Sequence, residues 1–191
     1  MGSLAIVPAA GSAERFGSAK LLADVDGQPL LDRTVSCLLN AGVERVVVVL
    51  GPDADRIKAD VPALRDPRVR TVLNPDASRG MFSSLQTGLA LGTGDPVLVI
   101  PGDMPFVHSG TVATLLDAYH RTPTFIVSPR HNGKRGHPVL LPPDLALEII
   151  AADPNGNLHL ILRVHPDRRL DVDVADRGVV RDVDVVGDLQ G

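Results

Sequence analysis

A chain of 191 residues matches the roughly 100–200 residues of one domain, and we read residues 1–191 as a single unit. With 44% hydrophobic and 22% charged residues it can bury a core without disulfides or metals, and the lone Cys37 excludes both an intramolecular disulfide and a thiolate zinc cluster. Aromatics are 3%, tryptophan is absent and the net charge is −4; the core must be aliphatic, and neither stacking platforms nor an overall basic footprint for nucleic acid is present.

The first residues, Met1–Gly2–Ser3, lead straight into a strand-like run without a signal-peptide pattern, and no apolar run approaches the length of a membrane span. A cytoplasmic protein without membrane or nucleic-acid partners is the expectation. In chain order, Leu4–Pro8, Arg45–Leu50, Arg70–Leu73, Pro96–Pro101 and Thr124–Ser128 are short apolar runs bounded by Gly, Pro, Asn or Asp and are predicted strands. Several are apolar throughout, as parallel strands covered on both faces should be. Helices are predicted at Leu30–Ala41, with Leu31, Val35, Leu38 and Leu39 on one face and Gly42 as the stop, and at Ser83–Leu91, Thr111–His120 and Leu145–Ala152. Cys37 falls on the first of these helices and is assigned to core packing. Alternating strands and helices imply a three-layer α/β/α, Rossmann-like domain with a mostly parallel central sheet.

Two segments break the rhythm. Ser12–Pro29 lacks helical or strand periodicity and is too long for an idle connection. Arg130–Pro143 carries Gly133, Gly136 and several prolines before a short strand predicted at Pro138–Leu141. Beyond Arg163 the chain is rich in Asp, yet Val172, Val174, Val179, Val180, Val183 and Val185 alternate with polar residues, which predicts a folded, strand-containing tail.

The strongest chemical signal is P-A-A-G-S-A-E-R-F-G-S-A-K at Pro8–Lys20. It follows a buried strand and so lies at the carboxyl edge of the sheet, where open α/β folds bind ligands. Ala9, Ala10, Gly11 and Ser12 are small enough for backbone N–H groups to approach an anion, and Arg15 and Lys20 add two cations. The pattern describes a diphosphate or triphosphate site, although neither G-x-x-x-x-G-K-[ST] nor G-x-G-x-x-G is present. Asp103, in P-G-D-M-P-F directly after an apolar strand, shares that edge and suits a hard cation such as Mg²⁺, which takes one or two carboxylates with phosphate and water oxygens. Gly80, Ser83 and Ser84 offer small polar contacts at a helix start. The six histidines have no metal-site spacing; His159 and His165 are expected on a solvated helical stretch, and His137, framed by Gly136 and Pro138, is the one retained as a candidate.

These segments together resemble the MobA-like nucleotidyltransferases, with the molybdenum cofactor cytidylyltransferase branch the nearest. The resemblance runs from about Leu4 to Leu189 through V-P-A-A-G-S-A-E-R-F-G-S-A-K (7–20), N-P-D-A-S-R-G-M-F-S-S-L-Q-T-G-L (74–89), P-G-D-M-P-F-V (101–107), R-G-H-P-V-L-L (135–141) and D-V-D-V-V-G-D-L (182–189). It implies transfer of a nucleoside monophosphate from an NTP to a phosphorylated acceptor, with Mg²⁺. Carried over, Ala9, Ala10, Gly11 and Ser12 would meet the nucleotide through the backbone, and Arg15 and Lys20 would hold its phosphates. Gly80 and Ser84 would lie near the base, and Asp103 and Asp184 would bind the metal; His137, in a separate Gly/Pro-framed loop remote in sequence from the phosphate loop and Asp103, is predicted to face the acceptor. The Ala9–Ala10–Gly11 form resembles cytidylyl-transferring members and so favours CTP, with molybdopterin as the implied acceptor and a molybdoenzyme as the implied recipient of the product. Guanylyl transfer, cytidylyl transfer to another phosphorylated acceptor, a degenerate cofactor-delivery protein and an NADPH-dependent oxidoreductase on the same scaffold are the alternatives. The family's D-I-D-T-P-E-D tail departs here to D-V-D-V-V-G-D, so the second metal position is kept while its neighbours change.

Overall fold

The computed structural model describes residues 2–11 and 17–183. In chain order the elements are β1 (Leu4–Ala9), β2 (Asp24–Val25), β3 (Gln28–Pro29), α1 (Leu30–Asn40), β4 (Arg45–Leu50), α2 (Ala54–Asp60), β5 (Val69–Leu73), α3 (Met81–Leu89), β6 (Val97–Val99), α4 (Ser109–Arg121), β7 (Ile126–His131), β8 (Lys134–Arg135), β9 (Val139–Leu141), α5 (Pro143–Ala151), α6 (Leu158–Arg163) and β10 (Arg169–Asp173). The main sheet runs β10-β7-β9-β6-β1-β4-β5, with β8 paired to β7; β2 and β3 form a separate two-stranded hairpin. All pairings in the main sheet are parallel except those of β9 with β6 and β7, and of β8 with β7. The expected three-layer, mostly parallel sheet is the fold.

Alternation along the buried strands divides the core in two. Ala5, Val7 and Ala9 of β1 face one side, where they meet Leu31, Val35 and Leu38 of α1, Ile57 of α2 and Val112 and Leu115 of α4. Leu4 and Ile6 face the other, against Phe82, Leu85 and Leu89 of α3, Leu145 and Ile149 of α5 and Leu158 and Leu162 of α6. Side chains in a strand point alternately to opposite faces, so a strand buried on both must be apolar at every position, as β1 and β4 nearly are. Cys37 is buried in the first cluster, and burial pushes its thiol pKa up to about 12, as an inert core residue requires.

The connections fix where a ligand binds. From β1 the chain passes through α1 to β4 and through α2 to β5, all on one side of β1. It then crosses back through α3, on the opposite face, to β6 on the other side of β1. The strand order therefore reverses between β1 and β6, and the crevice at their carboxyl ends is the topological switch point.

Four expectations need correction. The stretch Ser12–Pro29 is not structureless where it is described: Gly17–Leu22 forms a 3₁₀ turn and β2–β3 a hairpin, elements too short to leave a period in the sequence. Helix α2 was not predicted, because its seven residues bury only Ala54 and Ile57. The strand expected at Thr124–Ser128 starts and ends later, at Ile126–His131, since β8 folds back on its polar end. Among the described residues of the tail only Arg169–Asp173 is a strand, and Val185 lies outside them; Arg177–Val180 is a 3₁₀ turn whose Val179 enters the core, so valines there serve packing without a pleat. Among the described residues no helix is long and apolar enough to cross a membrane.

Candidate functional site

The switch point holds a cleft of about 410 Å³. One wall is the end of β1 and the chain that follows it, Pro8 to Gly11; a second is Gly51, Pro52 and Asp53 after β4, with Ile57 of α2. Ala77, Gly80, Met81 and Ser84 close it from α3, and Lys20, Leu21, Pro101 and Asp103 complete the rim. Much of this surface is backbone and small side chains. At Gly51 an added Cβ would lie 2.7 Å from the Ala10 carbonyl oxygen, so glycine is what lets the two strand ends approach.

Within the cleft Lys20 Nζ donates to Asp103 Oδ2 at 2.8 Å, and the two side chains are only 14% and 27% exposed. They come from segments 83 residues apart. Asp103 is held by its backbone neighbours. Gly102 N donates to Pro8 O at 2.9 Å, and the fully buried Thr34 hydroxyl of α1 bonds Gly102 O at 3.2 Å. Val183 N donates to Asp103 O at 3.1 Å, which brings the described chain's end to the same loop. Arg33 ties this loop to the hairpin, donating through Nε to Pro105 O and through Nη1 to Val25 O and Asp26 Oδ2.

The opposite wall is set by Asn74, which sequence reasoning passed over. Its buried amide donates to Ser83 Oγ at 2.9 Å and Ser84 Oγ at 3.0 Å, while its Oδ1 accepts from Asp76 N. Ser83 in turn donates to Gly80 O at 2.8 Å. Gly80 has φ +89°, a conformation that strains any residue with a Cβ, and it turns the chain into α3 beside the cleft. The motif N-P-D-A-S-R-G-M-F-S-S thus folds on itself around Asn74; an Asn before Pro-Asp was a readable turn signal.

Of the sequence candidates, Ala9, Ala10, Gly11, Lys20, Gly80, Ser84 and Asp103 are brought together on this cleft. Ser12, Arg15 and Asp184 lie outside the described residues. His137 does not line it. Its Nδ1 donates to Val99 O at 3.1 Å and its backbone N to Val179 O at 2.8 Å. Since a carbonyl only accepts, Nδ1 carries the proton and Nε2 is the acceptor nitrogen. Burial holds the His137 pKa below the ordinary imidazole value, opposed by the Val99 bond and by the Asp103 and Asp182 charges, so the ring stays neutral near the site. His159 sits in α6, whereas His165 follows it and pairs with Glu148 at 2.8 Å. Among the described residues no three His, Cys, Asp or Glu side chains cluster as a metal site. Asp103 still fits a hard cation that also takes phosphate and water oxygens.

The family model for the MobA-like NTP transferase domain matches residues 5–170. The chain belongs to that family. This NTP transferase domain is 32% identical over 192 residues to the nicotine blue oxidoreductase of Paenarthrobacter nicotinovorans, covering 95% of this chain and 91% of that protein. It is 34% identical over 121 residues to the bifunctional protein GlmU of Pelotomaculum thermopropionicum, a match over 62% of this chain but only 25% of the relative's length. The chain thus spans about a quarter of such curated relatives. Among solved structures, Rv0371c of Mycobacterium tuberculosis H37Rv superposes with a TM-score of 0.77 at 25% identity, covering 98% of this chain and 95% of that one, and the same protein has been solved in complex with manganese. The NTP transferase domain therefore places its switch-point cleft in a fold of nucleotidyltransferase type.

Proposed function

We propose that this domain transfers a nucleoside monophosphate, CMP from CTP, to a phosphorylated small-molecule acceptor of the molybdopterin kind, releasing pyrophosphate. The observation that carries the reading is the Lys20–Asp103 pair at the rim of a cleft lined by backbone and small side chains. Such a cleft holds a polyphosphate by main-chain N–H groups and one or two cations. An acceptor phosphate oxygen attacks the α-phosphorus, the bond to the β-phosphate bridging oxygen breaks, and pyrophosphate leaves with the electron pair. The attacking oxygen is already anionic, so no strong general base is needed, which suits a cleft without a histidine in its wall.

Catalysis then rests on positioning and charge. Lys20 stabilises charge that develops around the α-phosphorus, and Arg15 with the Gly11–Ser12 backbone receives the departing pyrophosphate. Gly80 and Ser84 meet the base. His137, fixed by Val99, would lie on the acceptor side. Asp103 and Asp184 would hold a divalent cation such as Mg²⁺, whose charge would offset that of the phosphates. The manganese complex of Rv0371c supports a metal in this fold.

A second reading, reduction by a nicotinamide cofactor, is favoured by the nearly full-length match to nicotine blue oxidoreductase. A pyrophosphate-release assay with CTP, GTP, ATP and UTP, run with Mg²⁺ against a phosphorylated pterin and a set of sugar phosphates, separates the two. We expect release with CTP and the pterin phosphate. NADPH binding with no pyrophosphate from any pair would replace the transferase by the reductase; nucleotide binding without turnover would leave a cofactor-delivery protein.

A further inference from the structure

The Asn74 cluster carries a hydrogen-bond polarity that the transfer chemistry does not use. Asn74, Ser83 and Ser84 are all buried, and which atom gives a proton follows from the backbone outward. The Asp76 amide nitrogen can only donate, and it lies 3.0 Å from one terminal atom of the Asn74 carboxamide, so that atom is Oδ1. The other is then the NH₂ group. It donates to Ser83 Oγ at 2.9 Å and to Ser84 Oγ at 3.0 Å, which uses both of its protons. The Asn74 backbone N donates to Leu50 O at 2.9 Å, which fixes the residue at the end of β4. The carboxamide cannot turn over there without setting its NH₂ against the Asp76 N–H.

The two serines differ in what becomes of their own protons. Ser83 returns its proton to the loop, at Gly80 O. Ser84 lines the cleft, receives the Asn74 donor and has no acceptor among the described residues. A ligand donor set against Ser84 would leave its hydroxyl proton without an acceptor in a residue only 2% exposed, and an unpaired buried polar group is costly. A ligand acceptor at that point instead completes the chain from the Asp76 N–H through Asn74 and Ser84 to the ligand.

We propose that Asn74 is a specificity-determining residue: it makes Ser84 a fixed donor to the cleft and so selects a base with a lone pair at that point, N3 of cytosine, over one with a proton there, N3–H of uracil. The inference rests on the reading of the cleft as a nucleotide site and adds the group that separates two pyrimidines of like shape. Asn74 stands behind the wall and acts through Ser84.

The test is calorimetric titration of the full chain with CTP and with UTP in the presence of Mg²⁺, which reads the ratio of the two affinities. Asn74→Asp keeps the size and the oxygen that meets Asp76 N but replaces the donor by a second acceptor. Ser84 then gives its proton to the carboxylate and keeps only lone pairs for the cleft. CTP should weaken about tenfold, and the preference for CTP over UTP should fall by a similar factor. In a Ser84→Ala background Asn74→Asp should change either affinity by no more than about twofold, because the hydroxyl through which it acts is gone. Asn74→Ala, which buries no charge and frees the Ser84 proton, serves if the aspartate variant misfolds and should lower the same ratio. An unchanged ratio in a folded variant, or a loss as large without the Ser84 hydroxyl as with it, would make Asn74 a packing residue and overturn the proposal. Wild-type protein that binds neither nucleotide would overturn it together with the nucleotide reading of the cleft. Binding without pyrophosphate release would defeat the transferase reading alone, since the affinity ratio is read without turnover.

Discussion

At the β10 end of the sheet the charges answer one another, while at the switch point the Lys20–Asp103 pair faces a cavity. Arg130 bonds Asp173 through Nε at 2.7 Å and Nη2 at 2.9 Å, and Asp171 takes Arg135 Nε at 2.7 Å. Arg168 holds Asp144 through both terminal nitrogens, at 2.7 and 3.1 Å. These pairs tie β7, β8, α5 and β10 together along the protein surface. Lys20 and Asp103 differ in lining the cleft. The C-terminal charges thus read as scaffold, and the Lys20–Asp103 pair as charge directed at a ligand. Density of ionisable residues is a poor guide to a site; direction towards a cavity is a better one.

The sharpest way to break that contrast is Lys20→Ala. A preorganised cation at a transferring phosphoryl group is worth about 3 kcal/mol, on the order of 10²-fold in turnover. We expect that loss at saturating CTP and Mg²⁺ with little change in thermal stability, because Lys20 sits on the cleft rim and Asp103 keeps access to water. Near-native turnover in a steady-state assay would remove the cleft from the chemistry.

A smaller effect should follow from Thr34→Val. The exchange keeps shape and removes the hydroxyl that holds Gly102 O, next to Asp103. A hydrogen bond of this kind contributes about 1 kcal/mol. We expect kcat to fall roughly fivefold with the KM for CTP unchanged, and Thr34→Ser to restore it. A loss of thermal stability without the kcat change would make Thr34 a packing residue only.

How much of this was legible in the sequence follows from which forces left a pattern. β1, β4 and α1 were readable because both faces or one stripe are buried, and burial writes itself as apolar runs and 3.6-residue spacing. Asp103 and Gly80 were readable because each sits in a loop just after a strand or before a helix, Ser84 because it lies in the first turn of that helix, and Lys20 because it ends the small-residue motif that follows β1. Asn74 was legible only as a turn residue: its bonds to two hydroxyls nine and ten residues on are encoded by no periodicity. Thr34 was hidden for the opposite reason, since a buried Thr on an apolar helix face looks like core.

The pH dependence of stability offers a finer probe. Burial depresses the His137 pKa in the folded protein, so the unfolded chain takes up a proton at this residue that the folded one resists. Its contribution is complete above the unfolded imidazole value of about 6.5 and is lost as pH falls through that value towards the depressed one. His137→Asn keeps an amide donor for Val99 O without titrating there. Melting temperatures measured from pH 7.5 to 5 should therefore fall less steeply in the variant, and parallel curves would place His137 in a less buried setting.

The smallest expected effect belongs to Arg130→Ala, and its value lies in that smallness. The guanidinium is held above its ordinary pKa by the Asp173 bond, yet Arg130 and Asp173 are 38% and 73% exposed. Exposed pairs of this kind are screened and cost side-chain freedom to form, so removing one changes stability little. Asp171, 15% exposed, keeps Arg135 as its partner. Turnover and the KM for both substrates should match wild type, and the melting temperature should move less than in Thr34→Val. A raised acceptor KM would show that the arginines of β7 and β8 face the substrate after all, with their carboxylate partners standing in for its anionic groups. The division between a self-neutralised scaffold and a ligand-completed cleft would then fail at the point where it is easiest to measure.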